Sequence, residues 1–358
     1  MTIVEDLLAG PRGRRFCWEV VLATVREQPD DDTLFRASYW MSVRRGEGGS
    51  LFEPGAVHPG PVPSDDQVVA AVAAVLDAAD PVATTLDQAL AALGRAAESA
   101  RWWQPPDAED VLLGRVVPPA LHDRIAAAVA VAPAVQALLA PAPTSRQWAV
   151  TPDAPGWGGP SRPADELLAE WRREVLAERS HGLRAPVDAP ISGTWWTTPP
   201  DGLLDTTTER GGRGPLGLWA VEDHTGWERA RVAAAAVDPS SRIVVVDDAD
   251  DWAALCRSAS IDVTATTRRH DWYQATGRVG DWVVPDWVAV AERFDAVHLT
   301  LRCWLRASGT AVPVDDTTAS VIAGWTPDTT VWLRDPRPAL GPSTTWRWSN
   351  EQEGWYPA

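Results

Sequence analysis

The chain has 358 residues, 45% of them apolar and 23% charged, which is the composition of a folded globular protein long enough for two cores. Its formal charge of −17 opposes general nucleic-acid binding, because a phosphate backbone is repelled at long range. All 32 basic side chains are arginine, so there is no Schiff-base lysine, no P-loop lysine and no kinase-type strand lysine.

The opening residues MTIVEDLLAG put acids beside a short apolar run, unlike a secretory signal, and nowhere do about 18 apolar residues run together. A cytoplasmic protein with no membrane partner is expected. Arg12, Arg14 and Arg15 form a basic cluster that reads as a solvated helix start. The spacing predicts a helix over 14–27, with Phe16, Val20, Val21 and Val25 inward. Ser64 and Gln67 make a capping box ahead of Val68, Val72, Val75, Leu76 and Ala79. Thr85 and Gln88 repeat it ahead of Leu86, Leu90, Leu93 and Ala97, and a third stripe carries Leu121, Ile125 and Val129 before Pro133 interrupts it. Residues 1–140 are therefore expected to form a helical domain whose stripes bury one another.

Residues 141–190 read as a joint and a connecting helix. The Pro/Gly-rich stretch 140–163 holds a predicted strand at 146–150. The segment ADELLAEWRREVLAERSH follows and stops at Gly182 as a helix would. From 191 to 340 the texture is that of short strands, predicted at 193–198, 218–222, 230–237, 242–246, 296–305, 320–323 and 330–334. Helices at 249–258 and 286–293 punctuate them, the second with Asp286 as N-cap. No βαβ rhythm is sustained, so the expected class is α+β, with a helical N-terminal domain followed by a mixed, mainly antiparallel β domain. Residues 341–358 form a polar, aromatic tail that either docks or frays.

Twenty-one tryptophans against three tyrosines and four phenylalanines is an unusual ratio, and seventeen of them lie at or after Trp148. Most are expected to fill a core poor in other aromatics. Trp195, Trp196, Trp272, Trp282 and Trp325 are candidates for a cleft that takes a flat or cationic ligand. The run from Arg268 to Arg278, with His270, Trp272 and Tyr273, reads as a lid or binding loop. His298, on a strand with Ala296 and Thr300 on its face, is a candidate acid or base. Glu222, Asp223 and His224 stand at another predicted strand end. Arg210 and Arg213 read as a solvated loop. Cys17, Cys256 and Cys303 are isolated, with no CxxC or Cys/His spacing, so no disulfide frame and no metal is implied.

Three segments resemble the ADP-ribosyltransferase-like superfamily, across roughly residues 191–333. Trp195-Trp196-Thr197-Thr198-Pro199 resembles its aromatic strand at the NAD site. ERARVAAAAVDPSSRIVVVDDADDW resembles the following strand pair, and FDAVHLTL with VIAGWTPDTTVWL resembles the closing strands. The resemblance implies NAD as substrate, cleaved at its N-glycosidic bond. Trp195, Trp196, Thr197, Thr198, Trp272, Tyr273 and Trp325 would hold NAD, with His298 or Asp328 polarising the ribose. The family's first-strand Arg or His has only Arg146 and His181 as nearby counterparts. Its glutamate has none between Phe294 and Arg334, where Asp328 is the nearest acid, so a degenerate member is implied. The Arg-, Ala- and Pro-rich composition is also similar to that of proteins from high-GC actinobacteria. Two other readings stand beside an NAD glycohydrolase or ADP-ribosyltransferase. One is a non-catalytic, regulatory binder of a small molecule or protein partner; the other is a nucleic-acid enzyme, which the acidic charge disfavours. Oligomeric state is left open.

Overall fold

In the computed structural model of the protein, residues 2–25, 64–78, 82, 84–154, 162–223 and 226–358 are described. Glu27, Ala79 and His224, named above, lie outside them, as do the side chains of Val25 and Val75. Among the described residues seven helices come first: α1 (Ile3–Ala9), α2 (Pro11–Val25), α3 (Asp65–Ala78), α4 (Leu86–Glu98), α5 (Ala108–Arg115), α6 (Pro119–Ala130) and α7 (Pro133–Leu139). The capping boxes at Ser64/Gln67 and Thr85/Gln88 both form, and Phe16, Val20, Val72, Leu90, Leu93, Ile125 and Val129 are all buried. Pro133 starts α7 rather than merely ending α6, since a proline at the first helical position sacrifices no hydrogen bond.

Arg12 and Arg15 are not a solvated helix start. They are 0% and 5% exposed, because α2 is enclosed by α1, α4, α5 and α6. A buried guanidinium must be paired. Arg12 therefore donates to Asp110, to the Ala96 carbonyl at 3.0 Å and to Ser99 Oγ at 2.8 Å. Arg15 donates to Glu19 Oε1 and Asp107 Oδ1, each at 2.9 Å, and to Glu109.

The second part contains β1 (Gln147–Pro152), α8 (Ala164–His181), β2 (Leu204–Thr207), β3 (Arg229–Ala236), β4 (Ile243–Val246), α9 (Ala249–Ser258) and β5 (Ser260–Asp262). It continues with α10 (Arg268–Thr276), β6 (Asp281–Pro285), α11 (Trp287–Arg293), β7 (Ala296–Leu299), α12 (Leu301–Ala307), β8 (Val312–Pro313) and β9 (Thr318–Ser320). β10 (Thr329–Trp332), β11 (Ala339–Ser349) and β12 (Gly354–Pro357) complete it. An eight-stranded sheet has the order β12-β11-β3-β1-β2-β10-β7-β4, antiparallel except for the β4–β7 pair. A smaller sheet has the order β5-β6-β9-β8. The class is α+β.

Four local expectations change. The presumed lid at 268–278 is α10, closed by Gly277 in the left-handed region at φ 71°. Arg268, His270, Asp271 and Trp272 are all buried there, so the polar residues face inward and leave no apolar stripe in the sequence. The strand predicted at 296–305 stops at Leu299, because Thr300 Oγ1 accepts from the Cys303 N–H at 3.0 Å and caps α12. Residues 193–198 form no strand; their backbone is pinned by single contacts such as Thr197 N–H to the Ala323 carbonyl at 2.9 Å. Residues 218–222 form none either, since Pro215 and Gly217 turn the chain through a 3-10 turn at Leu216–Leu218. The tail docks, supplying β11 and β12.

One buried apolar cluster runs from Leu7 to Trp355 through both parts. Asp6 of α1 accepts from Arg302 at 3.0 Å and from Arg306 at 2.5 Å on α12. Gly10 has no room for a side chain there: a Cβ would lie 2.3 Å from the Arg306 carbonyl oxygen. Replacing Asp110 with Ala strands Arg12 and weakens Arg15 in the interior. The expected cost is about 3–5 kcal/mol, read as a lower urea midpoint with an unchanged slope.

Candidate functional site

The β-sheet register places His298 opposite Thr330, and Thr330 opposite Thr206. These residues share a row across the sheet and build a directional hydrogen-bond chain. The Trp332 indole N–H donates to Thr206 Oγ1 at 2.9 Å, whose hydroxyl donates to Gln147 Oε1 at 2.7 Å. The Gln147 amide donates to Thr330 Oγ1 at 2.7 Å, leaving that hydroxyl to donate to His298 Nδ1 at 2.8 Å. This order assigns the proton of a neutral His298 to Nε2, which lies 3.8 Å from Asp328 Oδ1.

Tertiary folding thus brings the two predicted catalytic residues together, but as an enclosed group. Asp328 sits in the turn before β10 at φ 63° and accepts from the Thr208 N–H at 3.2 Å, the Thr208 hydroxyl and Arg210 Nη2 at 2.8 Å. Arg210 is therefore buried rather than solvated, and also donates to the Ala140 carbonyl at 3.0 Å. Burial holds the His298 pKa below its ordinary value against the pull of Asp328. Both side chains are 3% exposed.

The predicted NAD-holding residues are gathered elsewhere. Trp195 and Trp196 meet edge to face at 5.8 Å. The Trp195 carbonyl accepts from Trp272 Nε1 at 2.8 Å, and Thr197 is locked to Ala323. Trp272 packs on Trp282 at 5.2 Å, while Trp325 packs between Trp252 and Trp287 at 6.0 and 5.9 Å. Trp272, Trp282 and Trp325 are at most 1% exposed and fill the core. Trp196 lines a cavity of about 520 Å³ against α8, with Glu178 and with an Arg268 whose pKa burial lowers to about 10. Thr198 is half-buried beside it in sequence, and Tyr273 lines a different cavity, of about 450 Å³.

Glu222 is a third cluster. Its Oε1 accepts from Trp304 Nε1 at 2.7 Å and Ser308 Oγ at 2.9 Å. Its Oε2 accepts from Trp102 Nε1 at 3.2 Å and the Gly324 N–H at 2.7 Å. Burial nevertheless raises its pKa to about 7. Only Ser308 can accept a proton from it in return, because that hydroxyl can turn to the Ile322 carbonyl 3.2 Å away. Asp223 accepts from Trp103 Nε1 at 3.2 Å.

The site that sequence reasoning missed is a groove of about 360 Å³ between α4 and the β11–β12 hairpin. Trp219, Trp348, Trp355 and Trp227 line it in a row. Successive ring centroids are 5.9, 5.9 and 5.1 Å apart, and the planes are inclined by 78°, 67° and 43°. Trp219 follows the 3-10 turn, Trp227 precedes β3, and the other two belong to the hairpin. The wall is brought together by pairing of the tail with β3. Gly94 makes the close approach possible, since a Cβ there would lie 2.4 Å from the Trp219 carbonyl oxygen. Glu98, Glu228 and Glu353, all exposed, stand at the rim.

The chain matches no protein-family model, no curated protein and no solved structure. Among the described residues no group of His, Cys, Asp or Glu is arranged to hold a metal ion, and no helix is long and apolar enough to cross a membrane.

Replacing Glu222 with Gln puts an NH₂ where two donors converge, leaving at least one buried indole or amide N–H without an acceptor. The expected loss is about 1–3 kcal/mol in chemical unfolding. Because the folded-state pKa is raised above the ordinary 4.5, the protonated carboxyl favours folding. That contribution is complete below the unfolded value and is lost as pH rises through about 7, so the gap between wild type and Glu222→Gln narrows from about pH 5 to about pH 8.

Proposed function

We propose that the protein is a non-catalytic ligand-binding protein whose recognition site is the tryptophan groove. The observation that carries this reading is the row of four indoles, in mutual contact at 5.1–5.9 Å, on the wall of an open cavity. A cavity of this size suits a compact small molecule, and flat rings inclined to one another present apolar area on more than one side. The polar groups best suited to acid–base chemistry support the same reading. His298 and Asp328 are enclosed, and Glu222 is held by four donors.

Thermal unfolding against a library of small neutral and cationic aromatic and alkyl compounds tests it. Ligands of the native state stabilise it by mass action, by about 2.7 kcal/mol at a hundredfold excess over Kd, and so raise the midpoint. The expected result is a set of stabilising compounds whose effect disappears in Trp348→Ala. A library without such compounds, or compounds indifferent to that substitution, removes the groove reading.

A second reading keeps NAD. It rests on the meeting of His298 with Asp328, thirty residues apart in sequence, beside Arg210. Incubation with millimolar NAD, with the nucleotides separated by chromatography, is then expected to yield nicotinamide from wild type and none from His298→Ala. Absence of nicotinamide from both retires the reading.

A further inference from the structure

The chemistry of the groove narrows its ligand, on the premise that the groove is a binding site. Three features bear on charge. First, among the described residues the rim carries Glu98, Glu228 and Glu353 against a single cation, Arg95. Arg95 is already committed, its Nε donating to Glu19 Oε2 at 2.8 Å. Second, two of the four indole N–H groups are already engaged, one of them by Asn350, an exposed residue of the same groove. Trp219 Nε1 donates to the Arg213 carbonyl and Trp348 Nε1 to Asn350 Oδ1, each at 2.9 Å. These two walls therefore have no indole donor to spare, which disfavours an anionic or acceptor-rich ligand. Third, apart from Asn350 the remaining lining is apolar or small, with Ala91, Leu218 and Val221.

A ring face is the negative pole of an aromatic quadrupole, and Trp is the strongest cation-π partner. A primary ammonium is strongly hydrated and needs acceptors for three N–H groups, which such a floor does not supply. An alkylated ammonium needs none. It presents methyl groups to the rings while its charge is balanced by carboxylates at the rim. We propose that the groove is an aromatic cage for the trimethylammonium head of a small organic cation, with Trp219, Trp348 and Trp355 as walls and Glu228 and Glu353 as the charge-balancing rim.

Choline and its neutral isostere 3,3-dimethylbutan-1-ol separate charge recognition from apolar fit. Titrated into the full-length protein and followed by tryptophan fluorescence and calorimetry, choline is expected to bind about tenfold or more tighter than the isostere. Its affinity is expected to weaken with added salt and to fall several-fold in Glu228→Gln/Glu353→Gln. Those two residues are exposed, so the double variant retains the wild-type unfolding midpoint, and its affinity for the isostere is expected to stay unchanged. Trp348→Ala is expected to abolish binding of both. Equal affinity for choline and the isostere overturns the cation inference while leaving an apolar binding groove intact. Choline binding that survives in Trp348→Ala overturns it by placing the site elsewhere. Binding of neither compound overturns it too, and the compound library then decides separately whether the groove binds anything.

Discussion

The carboxylate of Glu222 is the constraint on which the two parts of the chain converge. It is buried and has no countercharge among the described residues, and its four donors come from three places: Trp102 in the helical part, Trp304 and Ser308 at α12, and Gly324 beyond β9. A lone buried carboxyl is costly unless its lone pairs are filled, so each donor fixes the position of the others. Val221, its neighbour, lines the tryptophan groove. The depth at which Glu222 is anchored therefore sets how the 216–222 turn meets α4 and the tail hairpin.

Charge elsewhere is handled by pairing buried guanidinium groups with carboxylates. Arg12 and Arg15 share Asp107, Glu109, Asp110 and Glu19 inside the helical part, and Arg210 is locked to Asp328 inside the sheet part. Arginine suits this role because its planar fork can serve several oxygens at once, which a lysine ammonium does less well. The exclusive use of arginine has a structural consequence: removing one acid from such a cluster leaves a cation with no route to water.

The tryptophans divide by environment. Trp252, Trp287 and Trp325 form one internal group and Trp272 with Trp282 another, doing what Phe and Leu do in other cores. Trp219, Trp227, Trp348 and Trp355 form a third group that borders open space, with carboxylates at its edge. Trp219, Trp227 and Trp355 are only 5–8% exposed, so in the third group the same side chains both pack and border the groove, with Trp348 the most open. The difference lies in what the strands and helices leave uncovered.

The sequence by itself determined most of what depends on local spacing. The helical stripes of the first part, the two capping boxes, the Gly182 stop, the helix at 249–258 and the Asp286 cap all follow from residues within a turn or two of one another. The α+β class was legible for the same reason. Helix α10 was not, because its buried residues include the polar Arg268, His270 and Asp271, which erased its amphipathic pattern. Nor was the end of β7 at Leu299, where one threonine cap outweighed an apolar run. The candidate site lay furthest from view. Trp219 and Trp355 are separated by well over a hundred residues, and no local signal sets them apart from the tryptophans of the core. Only the pairing of the C-terminal tail with β3, and the close approach at Gly94, decided which rings would line a groove; sheet register and long-range packing are set by the whole chain at once.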